Sequence, residues 1–484
     1  MRMLLESTLL RQLSLLETLY ESGSFKIEEL AEKMQLSGKT VSKDLIEAGY
    51  FISPIEIVNN SRGLYSLYIP ENCSIDFLYS AFLKQSARIS ILEEIFFHDQ
   101  LSFRDLSEKL FLSESTLKRT VSSMNEILSK FDIRIMTRPF RLEGYAPAID
   151  NLFIILFTEK YQIPSHAFPE GHRDVAGKMI QYWMSQNQVD LNFPDLNKLT
   201  LWILVSLYRQ RIQPPGSANP SVVLGAEHYE LFDREIQSEF HINFKKAPEQ
   251  DSLWETVRQI FKFGYILHYD LLEKACDDFP PNREVLDCVV NIINYVSGEL
   301  DVPVQNYEKL VTDLFNLVNL ARNLKLSQFI LNDKKKRFFK EASEQEKSLY
   351  FVLEESLHKN VLKEYEWKKS DVYELFYILT THWSNLLPAL QSRVRKLRVG
   401  LFFDTDQEHA QYITRRLSYR FLNEIEIFIM NALSQEDFLT SAKDFDLVIT
   451  NISQHADSIS NVLCISPMPT NGDWFRISEH ISSI

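Results

Sequence analysis

The sequence predicts a mainly α, multidomain chain that closes on a small α/β domain, and three observations carry that reading. Only 13 Gly and 17 Pro occur in 484 residues, which points away from strand-and-turn architectures. Apolar residues recur at three- and four-residue spacing through most of residues 150–392. A short segment also occurs twice, 76 positions apart and in register: Leu30–Val41 falls on Leu106–Leu117 without a gap. The pairs Leu30/Leu106, Glu32/Glu108, Lys33/Lys109, Leu36/Leu112, Ser37/Ser113 and Thr40/Thr116 are identical. Each copy reads as a short helix, a tight turn and a second helix, the layout of a DNA-reading helix-turn-helix.

The totals set bounds on this reading. A chain of this length exceeds one hydrophobic core, and about three to five domains are expected. A 45% hydrophobic fraction with 33 Phe supplies the material for several cores. No run of about 18 apolar residues occurs, so no spanning helix is expected. Met1–Glu6 lacks the apolar stretch of a signal peptide. Cys73, Cys276, Cys288 and Cys464 are scattered, with no Cys-x-x-Cys, which suits a cytoplasmic protein without disulfides or a zinc site. The net charge of −14 opposes DNA binding, because phosphate contacts need cations. Residues 1–150 hold 17 Lys+Arg against 21 Asp+Glu, a balance of −4. Local placement reverses the sign. Between 130 and 141, Lys130, Arg134, Arg138 and Arg141 face only Asp132, a balance of +3.

In the first unit (residues 1–70) the pattern predicts helices near Leu4–Ser22 and Ile27–Met34, then the turn Gln35-Leu36-Ser37. Ser37 can cap a third helix by accepting a free backbone N–H. Val41 and Leu45 face inward on that helix, leaving Lys39, Thr40, Ser42 and Lys43 outside. Alternation in Ile55–Val58 and Leu64–Ile69, around Asn59–Gly63, predicts a hairpin wing.

The second unit (residues 71–160) is the clearer one. Ser102-Phe103-Arg104-Asp105 is an S-x-x-D start signal for a helix ending near Leu110. Ser113 then caps a longer helix, to about Phe131, with Leu117, Val121, Met124 and Leu128 as its buried stripe. Ser115, Thr116, Lys118, Arg119 and Ser122 lie on or beside the opposite face. Ile133–Thr137 and Phe140–Leu142, separated by Arg138-Pro139 and closed by Gly144, read as a wing bearing Arg134, Arg138 and Arg141. The recognition helices would enter major grooves, with the wings on the backbone.

The middle is predicted as helices over Asn151–Tyr161, Gly171–Gln186, Leu196–Gln213, Leu253–His268, Asn282–Gly298, Gln305–Leu324, Glu341–Leu357 and Asp371–Leu390. Gln213–Pro220 reads as a loop, and Asp278–Arg283, with Pro280-Pro281, as the divider between two bundles (residues 161–280 and 281–392). In this context the whole chain resembles the Mga/AtxA-type virulence regulators of Gram-positive bacteria, most specifically over Phe103–Gly144. The resemblance implies that the two bundles are PTS-regulation domains, whose histidines take phosphate from the sugar phosphotransferase system. Leu199–Arg211 (LTLWILVSLYRQR) resembles a signature helix of the first domain, and Leu310–Arg322 (LVTDLFNLVNLAR) one of the second. The family's histidine is replaced by Trp202 and apolar neighbours in the first, and by Asp313 in the second. His382, in Leu-Thr-Thr-His-Trp, is the best remaining candidate for phosphorylation; His166 and His172 lie near proline-bearing turns. The phosphocarrier protein of that system is the implied partner.

After the basic run Arg393–Arg398 the texture changes. Strands over Val399–Phe403, Ile425–Met430, Leu447–Thr450 and Val462–Ile465 alternate with helices over Gln407–Phe421 and Gln435–Ala442. That order predicts a mostly parallel sheet, and the family resemblance implies a IIB-like domain over residues 393–484. Its first loop, Asp404-Thr405-Asp406-Gln407, is acidic and lacks the Cys or His that phosphotransfer requires; His409 follows on the helix. A dimerising role is expected, giving a homodimer with four reading heads.

No phosphate loop, dinucleotide-binding glycine motif, G-x-S-x-G or H-E-x-x-H occurs. The acidic pairs Glu28-Glu29, Glu93-Glu94 and Glu354-Glu355 read as solvated surface, and the His166/His172 spacing is not a recurrent zinc spacing. The expectation is a non-enzymatic regulator without cofactor or metal, most simply an activator bound to double-stranded DNA. The rival readings are a phosphotransfer component and a protein-docking adaptor.

Overall fold

The computed structural model describes residues 1–98, 100–186, 192–212, 233–245, 266, 268–278, 280–323, 329–360, 362, 365–393, 395–421, 424–432, 434–453 and 461–483. The chain forms two compact units, Met1–Asp301 with Asn306–His382, and Val302–Gln305 with Trp383–Ile484. The fold is mainly helical, with helix-turn-helix units at the N-terminus and a small parallel sheet near the C-terminus.

The first unit opens with α1 (Ser7–Ser22), α2 (Ile27–Met34) and α3 (Gly38–Gly49), followed by the antiparallel hairpin β1 (Glu56–Asn59) and β2 (Tyr65–Tyr68). The expected start of α1 at Leu4 is corrected. Arg2–Leu4 is a 3₁₀ turn, and Leu5 and Glu6 are extended. The cause is remote: the Glu6 carboxylate accepts from Ser86 Oγ at 2.8 Å and from the Arg88 backbone N–H at 3.1 Å. These groups open α5 (Ala87–Phe97), which follows α4 (Ile75–Gln85). Then come α6 (Phe103–Leu110), α7 (Glu114–Leu128), a 3₁₀ turn, the hairpin β3 (Ile133–Thr137) and β4 (Phe140–Gly144), and α8 (Ala146–Lys160).

Leu117, Val121, Met124 and Leu128 of α7 are all buried, as their spacing predicts. Gly144 has φ +142, and a Cβ there would lie 1.9 Å from the Asp132 carbonyl oxygen, so only glycine closes this wing. Behind it, Phe96 packs against Phe153 at 4.5 Å and Phe157 at 5.0 Å between ring centroids.

The remaining helices of this unit are Glu170–Gln186, Phe193–Ile212, Arg234–Phe244, Asp270–Asp278, Pro281–Leu300, Tyr307–Asn323, Lys334–Gln345, Lys347–Lys359 and Lys369–His382. The expected helix Leu253–His268 and loop Gln213–Pro220 fall largely or wholly outside the described residues. Three expectations are corrected. Pro281 starts a helix rather than sitting in a loop, since the first turn needs no proline N–H. The helix expected over Glu341–Leu357 is two helices broken at Glu346. The helix expected over Asp371–Leu390 stops at His382 and resumes at Leu386–Gln391, where Pro388 sits in a first turn that tolerates it.

In the second unit β5 (Leu397–Phe402), β6 (Ile425–Ile429), β7 (Leu447–Thr450) and β8 (Val462–Cys464) form a fully parallel sheet in the order β6-β5-β7-β8. Val399, Leu401, Leu447 and Ile449 are fully buried. The helix Gln407–Arg420 and a terminal helix, Asn471–Ser483, which the sequence reading missed, pack on it through Ile413, Leu417 and Ile477. All four cysteines are free thiols.

Candidate nucleic-acid interface

The repeat seen in sequence is a repeat of geometry. Gln35 ends α2 in the left-handed region at φ 54, and Phe111, 76 positions on, ends α6 at φ 52. The chain then turns back the same way, with Leu36 N donating to Ala31 O at 2.8 Å and Leu112 N to Ser107 O at 3.1 Å. Ser37 Oγ accepts from Thr40 N at 3.1 Å, and Ser113 Oγ accepts from Thr116 N at 3.1 Å. In both copies the cap hydroxyl also lies 2.8 Å from the threonine hydroxyl. Ser102 and Asp105 complete a reciprocal capping box on α6, and these hydrogen bonds from Ser102 hold the Asp105 carboxyl below its usual range.

The expected site residues divide by how free they are. Lys39, Lys118, Arg119, Arg134 and Arg138 are exposed, and among the described residues no side-chain bond or ion pair engages them. Ser115 is exposed, with its hydroxyl 3.0 Å from that of Ser113. Lys43 is 3.6 Å from Glu47, one helical turn on. Thr40 and Thr116 are half-buried by the cap, and Ser42 donates to its own helix at Gly38 O, 3.0 Å away. Arg141 differs most from expectation: its guanidinium is paired with Glu143 across 2.8 Å at Nε. The second head therefore offers four free cations, and the first offers Lys39 with a loosely paired Lys43.

Two features were missed from sequence. The heads are tied together through Glu6, and through Arg88, which donates to Met3 O at 3.0 Å and to Ser123 Oγ of α7 at 3.0 Å. The outer face of α3 also continues past Lys43 into Ile46 and Tyr50, which are 61% and 82% exposed. The successive steps of four, three and four residues from Lys39 through Lys43 and Ile46 to Tyr50 were the available signal.

The histidines separate clearly. His172 has both ring nitrogens engaged, at 2.7 Å from Tyr208 Oη and 2.9 Å from Asn243 O. His409 is likewise held, between Thr405 Oγ1 at 2.7 Å and Pro467 O at 2.8 Å. His166 is exposed. His382 Nδ1 lies 2.7 Å from the Asp313 carboxylate, so the two residues singled out separately in the sequence meet.

Comparison with known proteins matches the same segments. Residues 6–48 match the M protein trans-acting positive regulator (MGA) helix-turn-helix domain, and residues 71–157 match the Mga helix-turn-helix domain. The chain therefore carries Mga-type helix-turn-helix domains at its N-terminus and is similar to the Mga/AtxA-type regulators. Similar regulators match the chain over nearly its full length. A trans-acting regulator of Streptococcus pneumoniae serotype 4 is 23% identical over 93% of each chain. The capsule synthesis positive regulator AcpB and the anthrax toxin expression trans-acting positive regulator, both of Bacillus anthracis, are each 20% identical over 99% of both chains. These relatives are regulators, not enzymes. The first family match ends at α3, and the second spans α4 to α8, so both turn geometries fall inside the matched segments. Among the described residues, no helix is long and apolar enough to cross a membrane.

Proposed function

We propose that the protein is a cytoplasmic, DNA-binding transcription activator that reads duplex DNA through α3 and α7. One observation carries this reading: two identical helix-turn-helix turns, the second presenting unpaired Lys118 and Arg119 at the start of its recognition helix. Ser115, Thr116, Lys118 and Arg119 approach base edges; Lys39, Thr40, Ser42 and Lys43 do so for the first head. Arg134 and Arg138 grip phosphates, and Arg141 joins them by exchanging Glu143 for a phosphate. The positive-regulator names of the relatives support activation. The test is a gel shift at low salt with mixed-sequence duplex. Wild type is retarded, and Lys118→Ala with Arg119→Ala abolishes retardation at unchanged helix content. A protein-docking adaptor shows no retardation at all.

The domain plan that accompanies this reading has winged units over residues 1–70 and 71–160, PTS-regulation-like bundles over 161–280 and 281–392, and a IIB-like, dimerising domain over 393–484. A phosphotransfer role for the last is disfavoured. The 404–407 loop has neither Cys nor His, and both nitrogens of His409 are occupied.

A second reading concerns control. The 2.7 Å contact with Asp313 favours His382 as a phosphorylated residue. The carboxylate holds the proton on Nδ1 and leaves Nε2 as the nucleophile. Incubation with the phosphotransferase enzymes, phosphocarrier protein and labelled phosphoenolpyruvate tests it. Label should appear on wild type and vanish in His382→Ala; an unlabelled wild type rejects it.

A further inference from the structure

The outer ridge of α3 runs Lys39, Lys43, Ile46, Tyr50, at spacings of four, three and four, opposite the buried Val41, Leu45 and Ala48. Ile46 and Tyr50 are 61% and 82% exposed and contribute little to the core. The second copy shows that the fold does not demand them. The positions 76 residues on are Ser122 and Glu126, equally exposed and polar. The acids on α3 are also engaged. Asp44 is 1% exposed and bonded by Arg11 at 2.5 and 2.9 Å, while Glu47 accepts from Gln12 at 3.0 Å and lies 3.6 Å from Lys43. What remains on the ridge is two cations followed by two bare apolar side chains, continuous with the DNA-reading surface.

In the major groove, the apolar feature on the base edges is the thymine C5-methyl group. We propose that Ile46 makes the first head a reader of that methyl, with Tyr50 packing beside it on the adjoining sugar or a second thymine. The proposal rests on the DNA-binding reading above and adds a base preference to it. Lys39 and Ile46 are seven residues apart, roughly 10 Å along a helix, or about three base-pair steps. A thymine is therefore required about three pairs from the position that Lys39 approaches.

The experiment selects duplexes from a random pool with the full-length protein, then replaces each thymine in turn by deoxyuridine, which removes only the methyl. Wild type should lose about fourfold in affinity at one or two positions. Ile46→Ala, and Ile46→Ser, which copies the second head, should bind the thymine duplex at the weakened level and lose nothing further with deoxyuridine at the position about three pairs from that of Lys39. Neutral deoxyuridine scans in wild type, or a thymine dependence that persists in both variants, would overturn the proposal. A variant that loses gene activation at unchanged affinity would also overturn it, by placing a protein on the ridge. Failure of the parent reading looks different: Lys118→Ala with Arg119→Ala then binds like wild type, or wild type retains no duplex from the pool.

Discussion

The two heads share a backbone and differ in what they show to solvent. Their turns place a left-handed residue at the same position, with the same serine cap at 3.1 Å and the same return bond. The first head carries Lys39, Lys43, Ile46 and Tyr50 on its ridge, and its hairpin loop has only Arg62. The second carries Ser115, Lys118, Arg119 and Ser122, and its wing has three arginines. Duplication has kept the local interactions that build the motif and released the surface positions to diverge. On the proposed reading, the second head would supply most of the cationic grip and the first an apolar contact.

Four measurements test how far the two heads differ. The wings should respond very differently to an added methyl. Gly144→Ala forces a Cβ onto the Asp132 carbonyl and should cost about 3 kcal/mol or more in chemical denaturation. Gly63→Ala, at φ +74 with open space around it, should cost about 1 kcal/mol. Next, Arg134→Ala with Arg138→Ala should flatten the plot of log affinity against log salt by about 1.8, while Arg62→Ala changes it by about 0.9 at most. The caps come third. Ser37→Ala and Ser113→Ala should each lower stability by about 1 kcal/mol, because their geometry is the same. Only Ser113→Ala should weaken DNA binding appreciably; equal losses would put the heads on an equal footing. Smallest is Arg141→Ala, which breaks a half-exposed pair with Glu143 and should shift stability by under about 0.5 kcal/mol.

Local chemistry made much of this legible in advance. Ser37, Ser102 and Ser113 announce helix starts through nearby backbone, and the Leu117–Leu128 stripe announces its own burial. The first part of the helix Lys334–Gln345, before Glu341, was not legible, because its Lys-Lys-Lys-Arg run has no apolar period. Its cap, Asp333 accepting from Lys336 N at 2.9 Å, was the only local clue. The break after Leu5 depends on Ser86 and Arg88, about 80 residues away, which no local pattern encodes. Asp313 and His382 could each be singled out from sequence, but their contact required the packing of two helices. The ridge at Ile46 and Tyr50 is encoded in helical spacing, but exposure of an apolar side chain is settled only by what packs around it.

The segment before Lys334–Gln345 is fastened to the heads. Ile330 and Leu331 are buried at 0% and 2% exposure in the same core as α1 and α8. The Glu159 carboxylate accepts their N–H groups at 2.6 and 2.8 Å and that of Asn332 at 3.2 Å. Asp76 bonds Lys334 at 2.6 Å and Asn332 at 2.8 Å, and Lys340 reaches Glu21 of α1 at 3.3 Å. Burial raises the Glu159 carboxyl above its ordinary range even with three donors around it. Loosening this clasp by one bond leaves an enclosed charge or an orphaned amide, at about 1–3 kcal/mol for each. A partial opening of this clasp is therefore penalised more than its bond count alone would suggest.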